Sequence, residues 1–185
     1  MYVIFDIGAT KMRVAVSQDG ESFDEPKVVP TPSTAGEIIK TFKQEVLELL
    51  GEIKPQALAG GLTRKFEGVR AGLIQLFSCP ALIENDSALC GLGEAVAGAG
   101  RGSDIVAYIT VSTGVGGVRI VDGKVDRAHA GFEPGHQIVA SGLTLERLVS
   151  GRAMSEKYGK HPREITDEVV WEELAGYLAL GLHNT

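Results

Sequence analysis

The sequence is short of three things. Cysteine occurs twice in 185 residues, at Cys79 and Cys90. The two lie too far apart for a C-x-x-C metal or redox pair, so both read as reduced, buried thiols. Basic charge is in deficit, with 18 Lys and Arg against 24 Asp and Glu and a net charge of −6. The acids are spread along the chain, whereas a nucleic-acid surface needs clustered cations, so no nucleic-acid partner is expected. Long apolar runs are missing as well. No stretch approaches the length of a membrane span and the N-terminus carries no signal-peptide pattern, so a cytoplasmic protein with no membrane partner is expected. What the chain has in excess is glycine, 24 of 185 residues. The usual share is about 7%, and the surplus sits in turns.

The first of these turns organises the N-terminal stretch. Apolar, β-branched runs at 2–5 and 14–16 flank the hexapeptide Asp-Ile-Gly-Ala-Thr-Lys at 6–11, which reads as two strands joined by a tight turn. Asp6, Gly8 and Thr10 alternate, so an extended backbone directs them to one side. Asp6 can hold a hydrated Mg²⁺, Gly8 lets a phosphate approach the main chain, and Thr10 and Lys11 offer a hydroxyl and a cation to its oxygens. An ordinary hairpin with Asp and Thr as turn caps has the same pattern.

Along the chain, a third strand is expected at 27–29, stopped by Pro30 and Pro32. Thr34 with Glu37 matches a capping box, and Ile38, Ile39, Phe42, Val46, Leu49 and Leu50 follow at helical spacing up to Gly51. A short buried strand is predicted at 56–62, a helix at 67–77, a strand at 81–83 and a small-residue helix at 87–97. Three antiparallel strands followed by β-α units make a mixed sheet with helices on its faces. A lobe boundary is expected at 101–104, giving lobes 1–103 and 104–185. Beyond it the hairpin-first pattern restarts. Strands are predicted at 105–111, 115–121 and 124–127, then a loop over 128–141 and helices over 143–149, 152–158 and 167–183.

Three further stretches carry chemistry. The turn Ser-Thr-Gly-Val-Gly-Gly at 112–117 can present backbone N–H groups and the Thr113 hydroxyl to an anion, or can be a bulged hairpin. Paired with the first turn it reads as the second half of a clamp on a nucleoside triphosphate and its Mg²⁺. Glu84-Asn85-Asp86 ends a buried strand at the start of a helix, where open α/β sheets bind ligands. Asn85 suits polyol hydroxyls and Asp86 can take a proton from one, although either can serve simply as a helix cap. In the segment 131–136, Glu133 and His136 can bracket vicinal hydroxyls, and Glu146 lies on the next predicted helix.

The order DIGATK, ENDSA, STGVGG, EPGH and LERLVSGRA resembles the ROK family of repressors, open reading frames and sugar kinases, well over 1–16 and 81–153. The resemblance implies the actin-like, hexokinase-like (ribonuclease H-like) two-lobed α/β fold. It also implies ATP-dependent phosphorylation of a hexose or N-acyl-hexosamine, with Mg²⁺ and ATP as co-substrate. On that likeness Asp6 orients Mg²⁺ through water, and Asp86 is the general base. Gly8, Ala9, Thr10 and Lys11, with Thr113, Gly114 and Gly116, attend the phosphates. Asn85, Asp86, Glu133, His136 and Glu146 match sugar-binding positions.

Departures from the family pattern shape further expectations. The cysteine-rich zinc loop between the residues matching His136 and Glu146 is replaced by Gln-Ile-Val-Ala-Ser-Gly-Leu-Thr-Leu, so zinc is expected to be absent. Ala9 stands where a second glycine is usual, and Gly-Gly-Leu-Thr-Arg-Lys at 60–65 replaces the family's G-P-x loop. The second lobe is expected to be C-terminally incomplete, with a homodimer or a complementary chain covering its open edge. A catalytically weak sugar- or nucleotide-binding relative, or half of a split kinase, is the alternative to an active enzyme. A repressor would need a helix-turn-helix before the first strand, and an unrelated actin-like ATPase would leave the Glu-Pro-Gly-His segment without a purpose.

Overall fold

The computed structural model describes residues 1–127 and 132–185, which form two compact units, Met1–Leu89 and Cys90–Thr185. Residues 128–131 begin the predicted loop 128–141 and include Gly131 of the segment 131–136. They lie outside the described residues.

In the first unit, strands β1 (Tyr2–Ile7), β2 (Lys11–Ser17), β3 (Lys27–Pro30), β4 (Ala57–Leu62) and β5 (Ala81–Glu84) make one sheet in the order β3-β2-β1-β4-β5. The first three pair antiparallel, while β4 runs parallel to both β1 and β5. This is the expected mixed sheet. Alternation in β1 buries Val3, Phe5 and Ile7 on one face and leaves Asp6 to the other. Against the buried face lies helix α1 (Ala35–Leu50), which contributes Ile38, Phe42, Val46 and Leu50 at helical spacing. The Phe5 and Phe42 rings meet edge to face at 4.9 Å. Each large apolar side chain buried here contributes about 1.5–3 kcal/mol. Thr34 caps α1 by accepting the Glu37 N–H, and its hydroxyl donates to the Glu37 carboxylate at 2.7 Å. Gly51 closes the helix at a φ of 60°. Pro30 ends β3 at the sheet edge, where a missing N–H costs no ladder bond.

One element differs from the sequence pattern. The helix predicted over 67–77 is a 3₁₀ turn over Arg64–Val69, kinked at Phe66, followed by the short α2 (Arg70–Gln75). Phe66 turns into the core, and Gly68 and Gly72 weaken any continuous helix through this stretch. Helix α3 (Asp86–Val96) follows β5. The two units divide within it, between Leu89 and Cys90, and not at the turn over 101–104 where the lobe boundary is expected from sequence.

In the second unit, β6 (Ile105–Val111), β7 (Val115–Val121) and β8 (Lys124–Val125) form an antiparallel three-stranded sheet. Helices α4 (Leu145–Val149), α5 (Gly151–Tyr158) and α6 (Glu168–His183) follow. Their core is Val115, Leu145, Val149, Met154 and Leu174. A β-carbon on Gly181 would come within 2.7 Å of the Leu145 side chain, so glycine sets the close approach of α6 to α4. The described part of the predicted loop, 132–141, is more ordered than its sequence suggests. It holds a 3₁₀ turn at Pro134–His136 and the strand β9 (Ile138–Ala140), paired with β10 (Leu143–Thr144). Ser141 and Gly142 link these two with φ of 49° and 73°. The helix predicted from 143 therefore starts at Leu145, with the Thr144 hydroxyl capping the Arg147 N–H. Among the described residues no helix is long and apolar enough to cross a membrane.

Candidate active site

The first unit assembles its chemistry at the carboxyl ends of its parallel strands. Asp6 stands opposite Gly61 on β4, and Gly61 opposite Glu84 on β5. On the other side Asp6 faces Arg13 of β2, whose guanidinium donates to Asp6 Oδ2 at 2.7 Å. Gly61 is the pivot of this row. A β-carbon there would lie 3.4 Å from Asp86 Cα and 3.6 Å from Asp6 Oδ1. The glycine thus keeps open the space between the two aspartates. Arg13 and Gly61 are not among the site residues expected from sequence. The Gly-Gly pair ending a buried strand is the signal for Gly61. The spacing 6 and 13 across a hairpin is the signal for Arg13.

Asn85 and Asp86 form the start of α3. Asn85 Oδ1 and Asp86 Oδ1 both accept the Ser87 N–H, at 3.1 and 2.8 Å, and the Asn85 carbonyl accepts the Leu89 N–H. Both residues are helix caps, and a carboxylate is favoured in this position by the helix dipole. Asp86 Oδ2 has no protein partner among the described residues. The preceding strand end is held by Arg70, which donates to the Ile83 carbonyl and pairs with Glu67. That hydrogen bond keeps the Glu67 carboxyl below its ordinary range.

The first turn is narrower than expected, because β1 and β2 extend to Ile7 and Lys11. Gly8 N–H donates to the Lys11 carbonyl at 3.0 Å. Thr31 bridges the turn, its hydroxyl to the Gly8 carbonyl at 2.9 Å and its N–H to the Thr10 carbonyl. Ala9 and Thr10 are exposed, and their N–H groups have no partner among the described residues. Lys11 is exposed beside them.

In the second unit, Ser112, Thr113 and Gly114 form the turn, whereas Gly116 lies inside β7 opposite Thr110. The Ser112 and Thr113 carbonyls accept the Gly151 and Arg152 N–H groups at 2.7 and 3.2 Å, joining the turn to the first residues of α5. Glu146 Oε2 accepts the Val115 N–H at 2.9 Å, and a β-carbon on Gly114 would come within 2.6 Å of the same oxygen. The 134–136 turn docks on this strand. Its Gly135 would clash through a β-carbon with the Val115 carbonyl, and Pro134 fills the space a side chain on Gly117 would need. Two glycines of the second turn motif therefore serve packing. Glu133 is half-buried and His136 exposed beside this turn.

A cleft of about 860 Å³ opens beside Ser112 and Thr113. Val149, Met154 and Leu174 give it an apolar wall, and Arg152, Arg163 and Trp171 line it as well. Its size is that of a small-molecule site. Among the described residues no three His, Cys, Asp or Glu side chains gather as a metal cage.

The model of the ROK family matches residues 62–175. The glucokinase of Streptomyces coelicolor is 28% identical over 191 residues, covering 88% of this chain and 60% of that protein. The chain thus spans about three-fifths of that curated relative's length. The ROK hexokinase of Thermus thermophilus superposes with a TM-score of 0.77 at 26% identity, over 98% of this chain and 75% of that one. The ROK-family glucokinase of Streptomyces griseus, solved with glucose and AMPPNP, gives a TM-score of 0.64 at 27% identity. That match covers 84% of this chain and 59% of that one. With the family model spanning well over half of the chain, and with the row Asp6–Gly61–Glu84 and the turn at 112–114 built as described, this protein belongs to the ROK family.

Proposed function

We propose that the protein is an ATP-dependent sugar kinase, transferring the γ-phosphoryl group of ATP to a hydroxyl of a hexose or N-acyl-hexosamine. The observation that carries this reading is the pair Asp6 and Asp86 flanking Gly61 at the carboxyl ends of β1, β4 and β5. Phosphoryl transfer asks chiefly for positioning, charge neutralisation and a base within reach of the attacking hydroxyl. In this reading Asp86 accepts the hydroxyl proton on Oδ2 while Oδ1 stays anchored on the Ser87 N–H. The sugar oxygen bonds to phosphorus, and ADP leaves with the electrons of the broken P–O bond. Asn85, Glu133, His136 and Glu146 orient the sugar hydroxyls.

Asp6 is a partly exposed carboxylate beside a turn with two unpartnered N–H groups. That donor set suits Mg²⁺, which keeps most of its waters and takes one or two carboxylates together with phosphate oxygens. When bound, the ion would neutralise phosphate charge. Gly8, Ala9, Thr10 and Lys11 attend the phosphates from the first turn, and Thr113 and Gly114 from the second, with Gly116 supporting it from β7. The cleft beside Thr113 supports a nucleoside, with Trp171 and the apolar wall for the base. Zinc plays no part in this reading, and the enzyme works in the cytoplasm.

A second reading, half of a kinase completed by a second copy or a complementary chain, draws on the exposed apolar residues Val169, Leu180 and Leu182 of α6 and Ile105 of the edge strand β6. The test is ADP release from Mg-ATP against a panel of hexoses and N-acyl-hexosamines, with Asp86→Asn as control and mass determined in parallel. Sugar-dependent turnover lost in Asp86→Asn is the expected result. Equal turnover in that variant would remove Asp86 as base. Silence from the folded monomer, with turnover only in an assembly, would favour the second reading.

A further inference from the structure

Glu146 touches more than its place in a sugar site requires. It sits half-buried in the first turn of α4, and its Oε2 accepts the N–H of Val115, the first residue of β7. The same oxygen lies against Gly114, where even a β-carbon would approach to 2.6 Å. The other fixings of this turn are main-chain bonds, from Gly151 N–H to the Ser112 carbonyl and from Arg152 N–H to the Thr113 carbonyl. Glu146 is the anchor that carries a charge, and a hydrogen bond to an ionised acceptor is roughly twice as strong as a neutral one. Oε1 is directed to no protein donor among the described residues. One carboxylate therefore has one oxygen on the turn and one to spare.

We propose that Glu146 couples sugar to nucleotide, Oε2 holding the Val115 N–H of the second turn while Oε1 receives a sugar hydroxyl, so that sugar occupancy sets the geometry of the turn that meets the phosphates. This rests on the kinase reading above for the roles of Glu146 and Thr113. A hydroxyl donated to Oε1 draws charge from Oε2 and re-aims the carboxylate, and Gly114 and Val115 must follow, because no space separates them from it. Glu146 then acts on the phosphates as a positioning residue, through the turn. Coupling of this kind is reciprocal: sugar tightens nucleotide by the factor by which nucleotide tightens sugar.

The test combines calorimetry of Mg-AMPPNP binding, with and without saturating D-glucose or N-acetyl-D-mannosamine, with the ¹⁵N–¹H signal of the Val115 amide. In the unsubstituted protein the sugar is expected to tighten Mg-AMPPNP about fivefold or more, and to shift the Val115 amide signal. Glu146→Ala should move that signal upfield and weaken Mg-AMPPNP binding even with no sugar present, an effect a residue that only contacts sugar would not have. Glu146→Gln keeps an oxygen acceptor and should restore the Val115 signal and part of the nucleotide affinity. If sugar and nucleotide both bind the unsubstituted protein but neither alters the other, or if sugar leaves the Val115 amide unmoved, the proposal is overturned while the kinase reading stands. Failure of the folded protein to bind either ligand would overturn both.

Discussion

Arg13 and Asp6 face each other across the β1–β2 pair, with Nη1 2.7 Å from Oδ2, and both side chains are close to half exposed. An exposed ion pair of this kind contributes about 0–1 kcal/mol, so its significance lies in what it occupies. The guanidinium stands on the carboxylate expected to orient Mg²⁺. Arg13→Ala should leave the melting temperature nearly unchanged. It should also lower the Mg²⁺ concentration at which calorimetry detects half-saturation in the presence of AMPPNP. An unchanged or raised half-saturating Mg²⁺ concentration would show that Arg13 does not compete for Asp6.

Adjacent glycines on β4 should answer differently to the same substitution. A β-carbon on Gly60 would lie 2.3 Å from the Phe5 carbonyl, a backbone atom that cannot yield, whereas one on Gly61 meets only ordinary contacts at 3.4 Å and beyond. Gly60→Ala is expected to destabilise by about 1–3 kcal/mol, the usual range for overpacking, measured as a lower urea midpoint. Gly61→Ala should keep the midpoint, and Gly61→Leu should retain the fold yet abolish activity by filling the space between Asp6 and Asp86. Equal midpoints for the two alanine variants would contradict this account of the strand.

Much of this was legible in the sequence where local pattern and tertiary packing agree. The alternation in β1, the Thr34–Glu37 cap and the helical spacing of Ile38, Phe42 and Val46 each specify an element whose face is then buried. The strands at 105–111 and 115–121 match β6 and β7 at both ends. The failures have physical causes. Gly68 sits in the stretch 67–77 that reads as one helix, but burial of the Phe66 ring just ahead of it bends the chain. β9 and β10 are too short for periodicity to reveal, and only the Ser141–Gly142 turn hints at them. At the site, residue types suggest chemistry but not partners. Nothing in the sequence ties Glu146 to the second turn until a bond 31 positions away is seen, and Gly117 reads as part of an anion-binding turn until Pro134 is found against it.

Lys27 reaches from β3 to two glutamates of α1, Glu45 at 2.6 Å and Glu48. Both contacts raise the Lys27 pKa, Glu45 first. Glu45 is 7% exposed, and its Oε2 has the ammonium beside it but no other partner among the described residues. Lys27→Met would leave a buried carboxylate without its cation. Stranding a fully buried charge costs about 3–5 kcal/mol. With Lys27 itself more than one-third exposed, water can replace it in part, so the expected loss of stability is only a fraction of that. Adding Glu45→Leu should recover most of it. Chemical denaturation of the single and double variants checks the cycle, and strict additivity would show that the pair is not coupled.

Asp19 offers a test of the fold on the acid side. Its carboxylate accepts the backbone N–H groups of Ser22 and Glu21, each at 2.9 Å, and the hydroxyls of Ser22 and Ser17. Those bonds, the Ser22 amide first, hold its pKa far below the ordinary value. A carboxyl with a depressed folded pKa binds its proton more readily in the unfolded chain, so it stabilises the fold above the ordinary carboxylate value near pH 3.9. That contribution is lost as the pH falls through the lower folded value. The difference in melting temperature between the unsubstituted protein and Asp19→Ala should therefore be constant from pH 7 down to about 5 and shrink below about pH 4. A difference that held unchanged down to pH 2 would mean that turn geometry, and not the charge on Asp19, is what the alanine removes. Asp19→Asn separates the two, since it keeps an acceptor for the Ser22 and Glu21 amides while removing the titration.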